Sequence, residues 1–254
     1  MQIIPAFVTQ NKCYQAGAPL TPRGIMLHSV GTPQPSARAL VRYMDQYRPG
    51  GQSVCVHAVA QADGTVYQLL PWEMRGWHCG GSANSTHIGV EMTEPDCIRY
   101  TGGATFVCSD RARAVAQVTG TYNTAVALFA QLCTQFGLDP NKDIISHAEA
   151  SAMGIGTNHA DPEHLWRQLG MGFTMDGFRR DVAEAMAKED REEVPDMPRY
   201  DSVAEMPQWA RADAQRLIDR GALQGNTDGK LNVSEDMLRT MIVCQRMVDE
   251  QKET

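Results

Sequence analysis

Two short apolar runs, each ending near a histidine, constrain this chain more than any other feature. GIMLHSV (24–30) and DIISH (143–147) are brief and almost uniformly apolar. Such runs read as buried strands. A strand buried on both faces needs covering layers, and the intervening segments supply them. SARALVRYMDQY (36–47) has helical spacing behind a Ser cap. SVCVHAVAQADGTVYQLL (53–70) is two apolar runs joined at Asp63-Gly64, the pair that favours a tight hairpin. THIGVEM (86–92) reads as another strand. The stretch 114–140 reads as a long helix with Leu128, Leu132 and Phe136 on one side, stopped by Gly137 and Pro140. TMDGFRRDVAEAMAKEDREE (174–193) reads as a terminal helix with a Thr cap. Strands alternating with helices predict an α/β domain.

At 254 residues the chain has room for one large domain, or one domain and a small appendage. KEDREEVPDMPRY (188–200) is polar and Pro-bearing and reads as a linker. The main unit is therefore expected over residues 1–187. Residues 201–254 hold two helical patterns joined by the Gly- and Asn-rich QGNTDGKLNV. A module of this size is small for independent stability. It is expected to pack on the main unit, pair with another copy, or stand as a modest helical module.

Composition excludes several classes. A net charge of −7 and a pI near 5.5 argue against nucleic acid, whose phosphates need clustered Lys and Arg. No apolar run reaches the length of a membrane span. MQIIPAFVTQNKCY at the start lacks the basic and long apolar parts of a secretory signal. A protein of this kind is expected to be made in the cytoplasm and to need release by other means if it acts outside. The seven cysteines form no CxxC pair, so neither a zinc knuckle nor a dense disulfide scaffold is expected. Cys55 and Cys133 sit in apolar patterns as small core residues. Cys97 and Cys108 flank IRYTGGATFV and could bridge a loop, although a reducing compartment opposes it.

His28 and His147 close the two apolar strands. A strand end presents a side chain to a cleft from a rigid backbone. Neutral imidazole is a preferred zinc ligand, and two on adjacent strands supply half of a tetrahedron. The stretch IISHAEASAMGIGTNHADPEHLW (144–166) offers His159, Asp161, Glu163 and His164 for a third. Asp161 precedes a proline, which holds its backbone extended. His164 and Trp166 read better as packing and capping residues. Two His and one carboxylate leave the fourth position to water, the arrangement of a catalytic site. Glu91 sits inside the apolar strand HIGVEM, where a charge is costly unless paired or used, and is a candidate general base. Glu149 is its weaker rival. His57 could face a cleft or the core. Trp77 and His78, in the Gly-rich GWHCGG, suit the wall of a sugar or peptide site. His87 reads as structural.

Taken in order, these landmarks resemble the zinc-dependent N-acetylmuramoyl-L-alanine amidases of the type 2, or peptidoglycan-recognition-protein, family. GIMLHSVG looks like the first-ligand strand, and VCVHAVAQADGTVYQLLPWEMRGWHCGG resembles the signature hairpin with its Trp-His-Gly loop. HIGVEM is similar to the strand that carries a catalytic glutamate, ISHAE to the second-ligand strand, and NHADPEHLW to the third-ligand segment. The resemblance covers roughly residues 20 to 185. It implies a central mixed sheet flanked by helices. It implies zinc held by His28, His147 and Asp161, with Glu91 as general acid/base. His159 stands where many members have an oxyanion-stabilising lysine, Val56 where several have a tyrosine, and Glu163 where a glycine is usual. The implied substrate is peptidoglycan, cut between N-acetylmuramic acid and L-alanine. EPDCIRYTGGATFVCSD suggests a subgroup of phage and prophage lysins. A binding module without activity and a cytoplasmic muropeptide-recycling amidase are the alternatives. The tail, PQWARADAQRLIDRGALQGNTDGKLNVSEDMLR, is similar to surface-layer homology repeats, which implies wall binding. Its helices also suit a homodimer contact.

Overall fold

The computed structural model describes residues 1–46, 54–192 and 198–250. It divides into two compact units, residues 1–189 and 190–254. The start of the expected 53–70 hairpin and the centre of the expected linker lie outside the described residues.

The first unit runs β1 (Gln2–Pro5), α1 (Lys12–Ala16), β2 (Gly24–Ser29), α2 (Ala37–Met44), β3 (Ala58–Ala60), β4 (Thr65–Gln68) and β5 (His87–Met92). Then follow β6 (Ile98–Gly102), β7 (Thr105–Cys108), α3 (Arg111–Phe136), α4 (Pro140–Asp143), β8 (Ile144–Ser146), α5 (His147–Ala152), α6 (Glu163–Gln168) and α7 (Met175–Glu192). Six strands form one mixed sheet in the order β1-β4-β3-β5-β2-β8. β3 and β4 are antiparallel across the Asp63-Gly64 turn, and β3, β5, β2 and β8 run parallel. Every residue of β2 is buried, as a strand central to such a sheet requires. On one face Ile25, Leu27, Ile88 and Val90 pack with Leu128, Phe129 and Trp166 of the helices.

Local signals account for most boundaries, and three depart from expectation. The long helix begins earlier than its apolar pattern because Asp110 caps it, accepting from the Arg113 N–H at 3.0 Å. It ends at Phe136, and Pro140 opens the short α4 rather than closing α3. His147 starts a helix instead of ending a strand. Ser146 caps that helix, and its Oγ and the Glu149 carboxylate exchange bonds with each other's backbone N–H. Cys97 and Cys108 flank a β6–β7 hairpin as free thiols.

In the second unit, β9 (Arg199–Tyr200) pairs antiparallel with β10 (Val233–Ser234), and α8 (Gln208–Asp219) packs on α9 (Glu235–Glu250). Ala210, Ala214, Leu217, Leu238 and Ile242 make its own small core. Asp213, buried on α8, is held by Arg246 of α9 and by Arg216, which keep its carboxyl below the ordinary range. The linker expected from residue 188 begins later, because the helix α7 continues up to Glu192.

Candidate active site

The three neighbouring parallel strands β5, β2 and β8 end at one cleft of about 710 Å³. The carboxyl ends of parallel strands are the usual place for a site in an open α/β sheet. β2 delivers His28, the β8–α5 junction delivers His147, and the segment before α6 delivers Asp161.

Their donor atoms converge. His28 Nδ1 lies 3.1 Å from His147 Nδ1 and 3.3 Å from Asp161 Oδ2. His147 Nδ1 lies 3.5 Å from Asp161 Oδ1. All three residues are buried. Tetrahedral zinc sites have N and O ligands near 2.0–2.2 Å, which places neighbouring donors about 3.3–3.6 Å apart. The carboxylate turns one oxygen to each imidazole, these contacts are close to that spacing, and one donor atom from each residue lies within 4.8 Å of the other two.

Partners behind the rings fix which nitrogens carry protons. The carbonyl of His87 can only accept, so His78 Nε2–H donates to it at 3.1 Å. Burial, followed by the nearby His28 and His57, pulls the His78 pKa well down and keeps this ring neutral. Its Nδ1 is therefore a bare acceptor for His28 Nε2–H at 2.9 Å. His28 Nδ1 is left with a lone pair, facing His147 and Asp161. Burial would raise the Asp161 carboxyl, but the adjacent His147 and His28 outweigh it and hold the group far below the carboxylate range. Two imidazoles and a carboxylate thus form a buried donor set that could hold a metal ion.

Glu91 is the register partner of His28 across the β2–β5 ladder and lines the same cleft. Its Oε2 is buried and has no hydrogen-bond partner among the described residues. Burial first, then the charges of Asp161 and Glu94, pushes its pKa well up. Glu149, by contrast, is spent on its helix cap and on Arg179 at 2.6 Å. Glu163 accepts from Ser146 Oγ at 2.8 Å.

His159 is exposed at the cleft rim. It stacks on His147 with ring centroids 4.1 Å apart, and its Nδ1 lies 3.1 Å from Thr157 Oγ1. The remaining sequence candidates separate clearly. His57 does not line the cleft. It is fully buried, accepts from Gly89 N–H at 2.9 Å through Nδ1 and donates to the Met74 carbonyl at 2.7 Å through Nε2. Trp77 packs on the second core cluster with Cys13 and Val59 rather than lining the cleft. His78 reaches the cleft, but both its nitrogens are taken, so it has no ring donor or acceptor for a ligand. His87 bonds Thr86 Oγ1 at 2.8 Å.

Sequence reasoning missed a network on the other wall. Glu94, wholly buried, accepts from Gly31 N–H at 3.0 Å and from Tyr100 Oη at 2.8 Å. Tyr100 Oη in turn lies 2.7 Å from His164 Nε2. Tyr100 and His164 both line the cleft. No local pattern marks these three, because their partners come from the loop after β2, from β6 and from α6.

A mixed sheet with a His-His-carboxylate cluster beside a glutamate with an uncommitted oxygen is an arrangement suited to metal-assisted hydrolysis. The N-acetylmuramoyl-L-alanine amidase (Amidase_2) family model matches residues 18–164, more than half of the chain, and the chain belongs to that family. No curated protein matches it in sequence. Among solved structures, the Staphylococcus aureus hydrolase AmiA in complex with its ligand is 20% identical with a TM-score of 0.57, covering 77% of this chain and 88% of that one. The catalytic domain of XlyA and a mutant of PlyL, each 20% identical, have TM-scores of 0.51 and 0.52 and cover 72% of this chain and 99% of theirs. At such identities the likeness shows the fold, and the family match shows a peptidoglycan amidase.

Proposed function

We propose that the chain is a zinc-dependent, endolysin-like amidase that cuts the bond between N-acetylmuramic acid and the L-alanine of the stem peptide. The observation that carries this reading is the convergence of His28, His147 and Asp161 donors beside Glu91. His28 and His147 through Nδ1, and Asp161 through its carboxylate, would hold the ion. A zinc ion there would lower the pKa of a bound water toward ~7 and polarise the scissile carbonyl.

Glu91 takes the proton from the attacking water and delivers it to the leaving amine. Its position supports this, since its Oε2 is not committed to any other group among the described residues. His159 stands at the rim to steady the developing oxyanion. Its Nδ1–H is pledged to Thr157 Oγ1, so the ring donates to an oxyanion from Nε2 only in its imidazolium form. The glycan and stem would lie in the cleft between the His159 rim and the Tyr100–His164 wall. Residues 201–254 are proposed as a wall-binding or dimerising module attached to a catalytic domain over residues 1–187. No helix among the described residues is long and apolar enough to cross a membrane, and the substrate lies in the wall.

Two measurements test the proposal together. Purified protein should carry close to one zinc per chain. It should release new N-terminal alanine from purified cell walls, stop after chelation and recover with zinc. Release that is indifferent to chelation, or a chain that retains no metal, overturns the zinc reading.

A further inference from the structure

The two histidines proposed as ligands are both steered from one short loop. His78 and Cys79 are consecutive residues of GWHCGG. The His78 side chain takes His28 Nε2–H at 2.9 Å. The Cys79 carbonyl acts on His147 through Thr157. Thr157 donates both its N–H, at 2.8 Å, and its hydroxyl, at 3.0 Å, to that carbonyl. A carbonyl only accepts, so the single hydroxyl proton is committed to it. The two lone pairs of Oγ1 are then free to accept. His147 Nε2 lies 3.3 Å away and His159 Nδ1 3.1 Å away. His147 Nε2 therefore carries its proton, and its Nδ1 presents a lone pair toward His28 and Asp161.

The fold makes room for both contacts. A Cβ on Gly89 of β5 would run into the His78 ring, and one on Gly80 would lie 2.6 Å from Thr157 Cγ2. The loop is itself held in place. Asn84 Oδ1 accepts from the backbone N–H of His78 and of Cys79, each at 2.9 Å.

We propose that His78 and Thr157 are positioning residues of this site. They hold His28 and His147 in the one tautomer, proton on Nε2 and lone pair on Nδ1, that lets both rings bind a metal ion. Residues 76–81 thus serve as a clamp on the metal site instead of a wall for substrate. The inference rests on the proposed zinc site, and its test can fail separately from that site. Outer partners of ligating histidines are commonly worth 10–100-fold in metal affinity.

The experiment is zinc affinity of the full chain, by competition with a chromophoric chelator, for wild type, Thr157→Val, Thr157→Ser and Gly89→Ala. Thr157→Val keeps the shape and loses the hydroxyl. It should bind zinc roughly 10-fold or more weakly, while Thr157→Ser stays close to wild type. Gly89→Ala should weaken binding by displacing His78. Melting of the metal-free proteins reports whether each variant folds. Should Gly89→Ala fail to fold, the Val and Ser pair still decides. Equal affinity of Thr157→Val and wild type overturns the inference, as does a Ser variant that falls as far as the Val variant. A wild-type chain that binds no zinc overturns the site itself, a separate result.

Discussion

His28 and Glu91 are register partners on adjacent parallel strands, β2 and β5, near the ends that open on the cleft. The sheet therefore sets the spacing between proposed ligand and proposed acid/base, and no loop intervenes. Glu91→Gln keeps the side-chain volume and removes the base. We expect it to bind zinc like wild type and to lose wall hydrolysis by ~10²–10⁴-fold, the usual worth of a positioned acid/base. Turnover by Glu91→Gln within a few-fold of wild type would remove Glu91 from that role.

Asp161 turns one carboxylate oxygen to His28 and the other to His147. Asp161→Asn should leave one zinc weakly held or absent and abolish chelator-sensitive turnover. His159→Ala should keep the metal and lower kcat. If the two variants exchange these outcomes, His159 is the ligand and Asp161 its partner.

His57 is buried neutral, its pKa pushed down to about 4, chiefly by burial. The unfolded chain protonates this ring near 6.5, and the folded chain does not until about pH 4. Between those values the unfolded state binds more protons, so stability falls as pH drops through the window, by ~3 kcal/mol for this group. A ring-proton NMR titration should show His57 neutral down to about pH 4. Titration of its resonance near 6.5 would contradict the two backbone bonds that hold it.

Glu94 has the opposite sign. Burial is the largest cause raising its pKa, against hydrogen bonds that include Tyr100 and Gly31. A carboxyl whose folded pKa is raised costs stability as pH climbs from its unfolded value through its folded one. Glu94→Gln should therefore gain stability relative to wild type as pH rises above the ordinary glutamate range, measured as the difference in urea midpoint. Tyr100→Phe should weaken wall hydrolysis by loosening the cleft wall while zinc content is unchanged. A Glu94→Gln difference that stays flat with pH would mean that this carboxyl is not perturbed.

Deleting residues 196–254 tests the second unit. We expect the shortened chain to keep zinc and to cut soluble muropeptides, and to lose wall pull-down or a larger solution mass. No change in either would leave the module without the proposed role.

How far the sequence discloses this molecule depends on how local each cause is. β2 and β8 can be read because an apolar run has few alternatives once flanking helices are in place. His28 stands out because it ends such a run. His147 can be read as a residue of the site, but not as the first residue of a helix, since the Ser146–Glu149 cap competes with the strand pattern. His57 reads equally as a cleft or a core residue, and what decides it is Met74 and Gly89, 17 and 32 residues away. Thr157 looks like any loop threonine. Its meaning comes from Cys79, 78 residues earlier. Glu94 and Tyr100 are hidden for the same reason. The sequence shows which elements exist, whereas the hydrogen-bond directions at the site need their meeting in space.

The order of strands in the sheet has a consequence for biosynthesis. β8 joins β2 only after more than a hundred intervening residues, and Asp161 comes later still. A nascent chain that has not yet emerged past that point lacks two of the three groups proposed to grip the cation. On the proposed reading, fragments ending before residue 161 hold an incomplete donor set, and hydrolytic competence arrives only when synthesis of this unit is nearly finished.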